Sequence, residues 1–264
     1  MKLTKTLEDL QHANRKGLIV YITAGCPDYE TTVKAVLAAA EAGADVIEIG
    51  LPFSDPMADG PVIQKAAALA LQAGATTAKA VELIRSIRQH SQVPLVVMTY
   101  VNTVLQYGVD RFAREFSEAG LNGIIVPDLP VEESDLIETA CQANSLDTIQ
   151  LAAPTSTGER IAAICGKTSG FLYCVSSTGV TGIRDIDYRP VAEVIRQVRQ
   201  YSSIPAAIGF GIGSPVAART AARYADAVIV GSAVMERLMN EGLPAVTEFV
   251  GAVRSALDER SESP

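Results

Sequence analysis

Eight short runs of β-branched and apolar residues alternate with helical stretches along a chain of 264 residues. That alternation predicts an α/β fold: a single (β/α)8 TIM barrel with an extra N-terminal helix and additional helices. Two further observations support closure into a barrel. The length suits a one-domain barrel better than the commonest smaller domain. The segments EAGADVIEIG, EAGLNGIIVPD and ARYADAVIVG each pass from a helix end through a turn into a strand, the weak repetition expected of one βα unit. An open doubly wound sheet is the runner-up. The barrel is expected to fill residues 1–264 as one domain, with the last few residues disordered.

In order, MKLTKTLEDLQHANRKG forms an amphipathic helix rather than a secretory signal. The strands begin with LIVYITA from Leu18, DVIEIG from Asp45, LVVMTY from Leu95, GIIVPD from Gly123 and TIQLAA from Thr148. GFLYCVS from Gly170, PAAIGFG from Pro205 and DAVIVG from Asp226 complete the set. Stretches such as YETTVKAVLAAAEAG and PVAEVIRQVRQYS carry helical periodicity between them. Parallel right-handed crossovers bury both faces of each strand, which explains why these runs are nearly continuously apolar.

Composition narrows the function. Hydrophobic residues make up 48% and charged residues 20%, enough apolar surface for a large core. A net charge of −8 argues against nucleic acid or an anionic membrane as partner. No apolar stretch of membrane-spanning length runs without charge or Gly/Pro interruption, so a soluble protein is expected. Cys26, Cys141, Cys165 and Cys174 lie far apart in no metal-like spacing and are expected to be reduced thiols of a cytoplasmic protein. His12 and His90 fall away from strand ends and receive no role.

The chemistry is expected in DVIEIGLPFSDPMADGP, Asp45 to Pro61. Alternation places Glu48 on the strand face opposite Ile47 and Ile49. A carboxyl on an apolar inward face holds its proton more tightly than a free acid, as a general acid/base requires. A structural ion pair is the competing reading. In a barrel the strand C-termini form the active-site mouth, so Glu48, Tyr100, Asp128 and Tyr173 should converge there. Tyr21, Phe53, Ile63, Met98, Tyr100, Ile125 and Tyr173 suit the walls of a pocket for an aromatic ring, with core packing as the alternative for each. Glycines at three places, Gly179 with Gly182, Gly209 with Gly211, and Gly231 with Ser232, can let backbone N–H groups approach an anion. Gly211, Gly231 and Ser232 are the expected phosphate contacts, because a barrel's usual phosphate site follows its last two strands, and Gly182 in the loop after strand six joins them. Taken alone, each glycine reads as a turn residue, and their convergence on one face favours the anion site.

These motifs carry a family resemblance. IEIGLPFSDPMADGP at Ile47 to Pro61, MTYVN at Met98, VPDLPVEES at Val126, YCVSSTGVTG at Tyr173, IGFGI at Ile208 and VGSA at Val230 occur in order across nearly the whole chain. Together they resemble the α subunit of tryptophan synthase. The resemblance implies retro-aldol cleavage of indole-3-glycerol phosphate to indole and glyceraldehyde 3-phosphate, a carbon–carbon lyase step of L-tryptophan biosynthesis. It implies no metal and no cofactor in this chain, with pyridoxal phosphate in a partner β subunit and a tetramer of two α and two β subunits. By resemblance Glu48 is the acid/base at indole C3 and the hydroxyl, while Asp59 accepts a hydrogen bond from the indole N–H. Pro52, Asp55 and Asp128 belong to loops that would face the partner; Asp128 also has a reading as a loop cap. Cys26 stands where an acid is usual, and Ser177 where some members carry a basic residue. Ser177 cannot pair with phosphate as an arginine would, so closure of the loop from Ser176 to Asp187 should differ. An autonomous indole-3-glycerol-phosphate lyase releasing free indole and a mainly regulatory ligand-binding subunit are the alternatives.

Overall fold

The computed structural model describes residues 2–175 and 187–259. Among them the strands are β1 (Gly17–Thr23), β2 (Val46–Gly50), β3 (Leu95–Met98), β4 (Gly123–Ile125), β5 (Asp147–Ile149), β6 (Leu151–Ala152), β7 (Leu172–Val175), β8 (Ala206–Gly209) and β9 (Ala227–Val230). All pair in parallel, in the order β5-β4-β3-β2-β1-β9-β8-β7-β6.

Where the sequence suggests eight strands the described residues form nine, because TIQLAA is divided at Gln150. β5 pairs with β4, β6 pairs with β7, and the Gln150 carbonyl accepts a hydrogen bond from the Tyr173 N–H at 3.0 Å. One tilted run therefore serves one neighbour with its first half and the other with its second, and this closes the barrel.

The helices are α1 (Lys2–His12), α2 (Tyr29–Glu41), α3 (Pro61–Gln72), α4 (Thr77–Arg88), α5 (Val101–Tyr107), α6 (Val109–Ala119), α7 (Asp135–Ala143), α8 (Gly158–Lys167), α9 (Arg189–Tyr201), α10 (Pro215–Ala222), α11 (Ser232–Asn240) and α12 (Leu243–Asp258). Side chains of Asp28, Thr76, Thr157 and Ser214 accept N–H groups at the starts of α2, α4, α8 and α10, which fixes where those helices begin. Each such cap is worth about 1 kcal/mol. α1 lies across the N-terminal end of the barrel: a methyl built on Gly17 would meet Leu7 at 3.0 Å, and one on Gly170 would meet Leu3 at 2.8 Å.

β2 shows how the strands set the mouth. Ile47 and Ile49 are fully buried toward the helices, each contributing roughly 1.5–3 kcal/mol. Glu48 alternates with them and pairs in register with Tyr21 on β1 and Val96 on β3. Gly50, Met98, Ile125 and Ile149 form the next inward row. At the strand's start, Asp45 accepts from the Leu18 N–H at 2.8 Å and meets Arg254 of α12 at 3.1 Å, tying the last long helix to the barrel.

Among the described residues no helix is long and apolar enough to cross a membrane. Cys26, Cys141, Cys165 and Cys174 are free thiols. The expectation for the last few residues falls at 260–264, outside the described residues.

Candidate active site

A cavity of about 320 Å³ opens at the C-terminal ends of the strands. Tyr21, Glu48, Asp59, Ile63, Met98, Tyr173, Gly211, Gly231 and Ser232 all line it. Two strand-end glycines make the room. A methyl on Gly50 would lie 1.9 Å from the Tyr21 hydroxyl oxygen, and one on Gly209 would lie 2.3 Å from that of Tyr173. Gly209 thus accommodates a phenol rather than an anion. The Tyr21 hydroxyl accepts from Thr23 Oγ1 at 3.3 Å, which fixes that ring over β2.

Glu48 is 1% exposed, and its Oε2 has no hydrogen-bond partner among the described residues. Burial pushes its carboxyl pKa up to about 8, and the nearby Asp59 charge acts in the same direction. No basic side chain pairs with it, so the structural ion-pair reading finds no support among the described residues. Asp59 is 8% exposed, in the loop between β2 and α3. Burial raises it to about 6, against the lowering effect of a hydrogen bond with the Tyr100 side chain. Near neutrality Asp59 is ionised while Glu48 keeps its proton. Burial likewise raises the phenols of Tyr21 and Tyr173, so both stay protonated.

Tyr100 and Ile125 stand outside the cavity lining. The Tyr100 hydroxyl accepts from the Ala58 N–H at 3.0 Å, and its ring stacks on Phe53 at 4.9 Å. It holds the loop that carries Asp59 instead of walling the cavity. Ile125 shares the inward row of Met98, but β4 contributes no residue to the cavity lining, and Ile125 stays in the core. Pro52 and Asp55 lie in the same loop as Asp59, with Asp55 exposed and accepting from Ser54 Oγ at 2.5 Å. Asp128 is exposed too, yet its Oδ1 accepts from the Val101 N–H at 2.9 Å, capping α5.

The opposite end of the cavity is backbone. Phe210 and Gly211 follow β8 with φ of 72° and 73°, a left-handed turn that glycine adopts freely and phenylalanine does not. α11 starts at Gly231 without a side-chain cap, and the N–H groups of Val234 and Met235 both bond to the Gly231 carbonyl. The N–H groups of Ser232 and Ala233 then face ahead of the helix, where its dipole is positive. Gly182 and Ser177 lie outside the described residues, as does most of their loop. Phe210, Ile212, Ile229 and Glu236 also line the cavity, beyond the residues the sequence singles out. Ile229 was legible by alternation from Gly231. Nothing in FG announces a positive φ at Phe210.

The comparisons with known proteins decide the family. The model of the tryptophan synthase alpha chain matches residues 7–254. The chain belongs to the tryptophan synthase alpha chain family. It is similar to the alpha chain of a Thermoanaerobacter species, 43% identical over 97% of this chain and 99% of that one. The alpha chain of Synechococcus elongatus is 44% identical over 95% of each. Among solved structures, Mycobacterium tuberculosis tryptophan synthase superposes with a TM-score of 0.91 at 40% identity, covering 97% of both chains. The alpha chain from Legionella pneumophila gives 0.90 at 35% identity, over 99% of this chain and 98% of that one. The family cleaves indole-3-glycerol phosphate in tryptophan biosynthesis and needs no cofactor in this chain; pyridoxal phosphate belongs to the β subunit, the partner that membership implies.

Proposed function

We propose that Glu48 and Asp59 are the catalytic residues of this cleavage and that Gly211, Gly231 and Ser232, with Gly182, hold the phosphate. One observation carries the assignment: two carboxyls of unlike proton affinity share a cavity whose other end meets the start of α11. Protonated Glu48 gives its proton to indole C3, which moves positive charge to the ring nitrogen. Ionised Asp59 accepts the hydrogen bond of that N–H and offsets the charge as it develops. Glu48, now a carboxylate, takes the proton of the adjacent hydroxyl while the bond from C3 to the side chain breaks. The bond's electron pair returns to the ring as indole, and the hydroxyl carbon becomes the aldehyde of glyceraldehyde 3-phosphate. One proton has moved from oxygen to carbon, and Glu48 ends as it began.

Tyr21, Ile63, Met98 and Tyr173 wall the indole in this scheme, Ile125 backs that wall, and Tyr100 keeps Asp59 presented. The pH dependence of kcat/KM tests the pair. It should be bell-shaped, with the acid limb near 6 where Asp59 takes up a proton and the alkaline limb near 8 where Glu48 loses its own. A profile flat from about pH 5 to about pH 9 would overturn the assignment.

The partnership extends the same reading. Met57 is 91% exposed beside Asp55, on the loop that also carries Asp59, so a β subunit docking there would bear directly on the catalytic acid. Pro52, Asp55 and the region of Asp128 would form the contact. Residues 1–264 act as one barrel domain in a cytoplasmic tetramer of two α and two β subunits. Sedimentation of mixed subunits should give that 2:2 species; a 1:1 species as the largest complex would contradict it.

A further inference from the structure

Glu236 presents a carboxylate where the reading above places a dianion. Among the described residues that line the cavity there are three acids, Glu48, Asp59 and Glu236, and no lysine, arginine or histidine. Backbone N–H groups and the dipole of α11 are therefore the described attraction for a phosphate group. Glu236 stands four residues after Ser232 and three after Ala233, on the same face of α11. Helical side chains lean toward the N-terminus, so its carboxylate reaches back over the turn whose N–H groups face the cavity. It is exposed and has no ion-pair partner among the described residues.

We propose that Glu236 sets the grip on the phosphate end by like-charge repulsion, holding the phosphorylated substrate and the triose-phosphate product loosely enough for turnover. The inference rests on the phosphate site at Gly211, Gly231 and Ser232. A single charge acting on a dianion about one to two helical turns away through a partly aqueous path changes affinity about threefold to tenfold at low ionic strength.

The test measures competitive inhibition of cleavage by inorganic phosphate and by glycerol 3-phosphate in the parent, Glu236→Gln and Glu236→Lys chains, at low and high salt. The inhibition constants should fall about threefold to tenfold in Glu236→Gln and further in Glu236→Lys, with the gap closing as salt screens the charge. KM for indole-3-glycerol phosphate should fall in parallel, while inhibition by indole, which has no phosphate, should not move. Equal constants in all three chains at low salt would overturn the role of Glu236. So would weaker binding in Glu236→Gln, since that would make the carboxylate attractive through some other group. Absence of competition by either anion in the parent chain would instead overturn the phosphate site, and this role with it.

Discussion

Glu48 and Asp147 make an instructive pair. They are 1% and 0% exposed; Glu48 Oε2 has no hydrogen-bond partner among the described residues, whereas Asp147 lies beside the Ser169 side chain, which acts to lower its pKa. Burial raises the pKa of both. Their positions on the barrel are opposite. Glu48 faces the cavity at the strand C-termini with Asp59 close enough to oppose its ionisation. Asp147 begins β5 at the other end, beneath α1: a methyl on Gly170 would lie 3.2 Å from its Cβ and 2.8 Å from Leu3. One acid opens onto space for a substrate, and the other is sealed by packing. A raised pKa in a barrel interior therefore marks burial, and it points to acid–base chemistry where the group also faces a cavity.

The sharpest way to break this contrast is to neutralise each acid. Glu48→Gln should lower the single-turnover cleavage rate by about 10³-fold or more, since general acid–base catalysis contributes roughly 10²–10⁴. Asp147→Asn should leave it within about twofold. Comparable losses in the two variants would show that activity follows the integrity of the barrel rather than proton transfer. The stabilities carry a sign of their own. The Glu48 pKa is raised in the folded chain, from 4.5 to about 8, so the native state binds the proton more tightly than the unfolded state. That contribution is favourable below 4.5 and is lost as pH rises toward about 8, on the order of 3–5 kcal/mol in all. Glu48→Gln should flatten the fall in denaturant stability across that window. Burial raises Asp147 too, so Asp147→Asn should also weaken the loss of stability with rising pH, which separates a shared effect on folding from an unshared effect on catalysis.

A smaller effect is expected at the second acid. Asp59→Asn should reduce kcat by about 10²-fold while changing KM less, because the charge it offsets develops only as the bond breaks. Steady-state kinetics on the purified chain decides this. An increase in KM at constant kcat would make Asp59 a substrate-binding group and leave Glu48 alone in the chemistry.

Much of this geometry was legible because it depends on local alternation. Ile47 and Ile49 on one face fix Glu48 on the other, and the same parity places Tyr21, Met98 and Tyr173 inward. What escaped depends on contacts between distant segments. The division of TIQLAA at Gln150 comes from two neighbours that the run itself does not specify. Gly209 resembles any glycine of an anion loop until Tyr173 is seen to occupy its missing side chain. Tyr100 sits at a strand end like a pocket wall, yet its hydroxyl is engaged by Ala58 from a loop 42 residues away. For Asp128 the cap reading stands, but its partner, the Val101 N–H at the start of α5, is set by tertiary structure. Glu236 looks like an ordinary surface acid of an amphipathic helix, and only the start of α11 at Gly231 brings it to the cavity.

The order of the strands has a consequence for a chain that emerges from the ribosome N-terminus first. β1 through β5 can pair one after another as they appear, each beside its predecessor. The outer edge of β1 has no such early companion, for Gly17 pairs with Ala227 near the far end of the sequence. Until β9 is made, that edge offers a row of unsatisfied amides and carbonyls flanked by Leu18, Ile19 and Val20, a template for stray strand pairing. α1 precedes that strand and packs Leu7 against its first residue, so the N-terminal helix is available to shield one end of the waiting edge through most of translation.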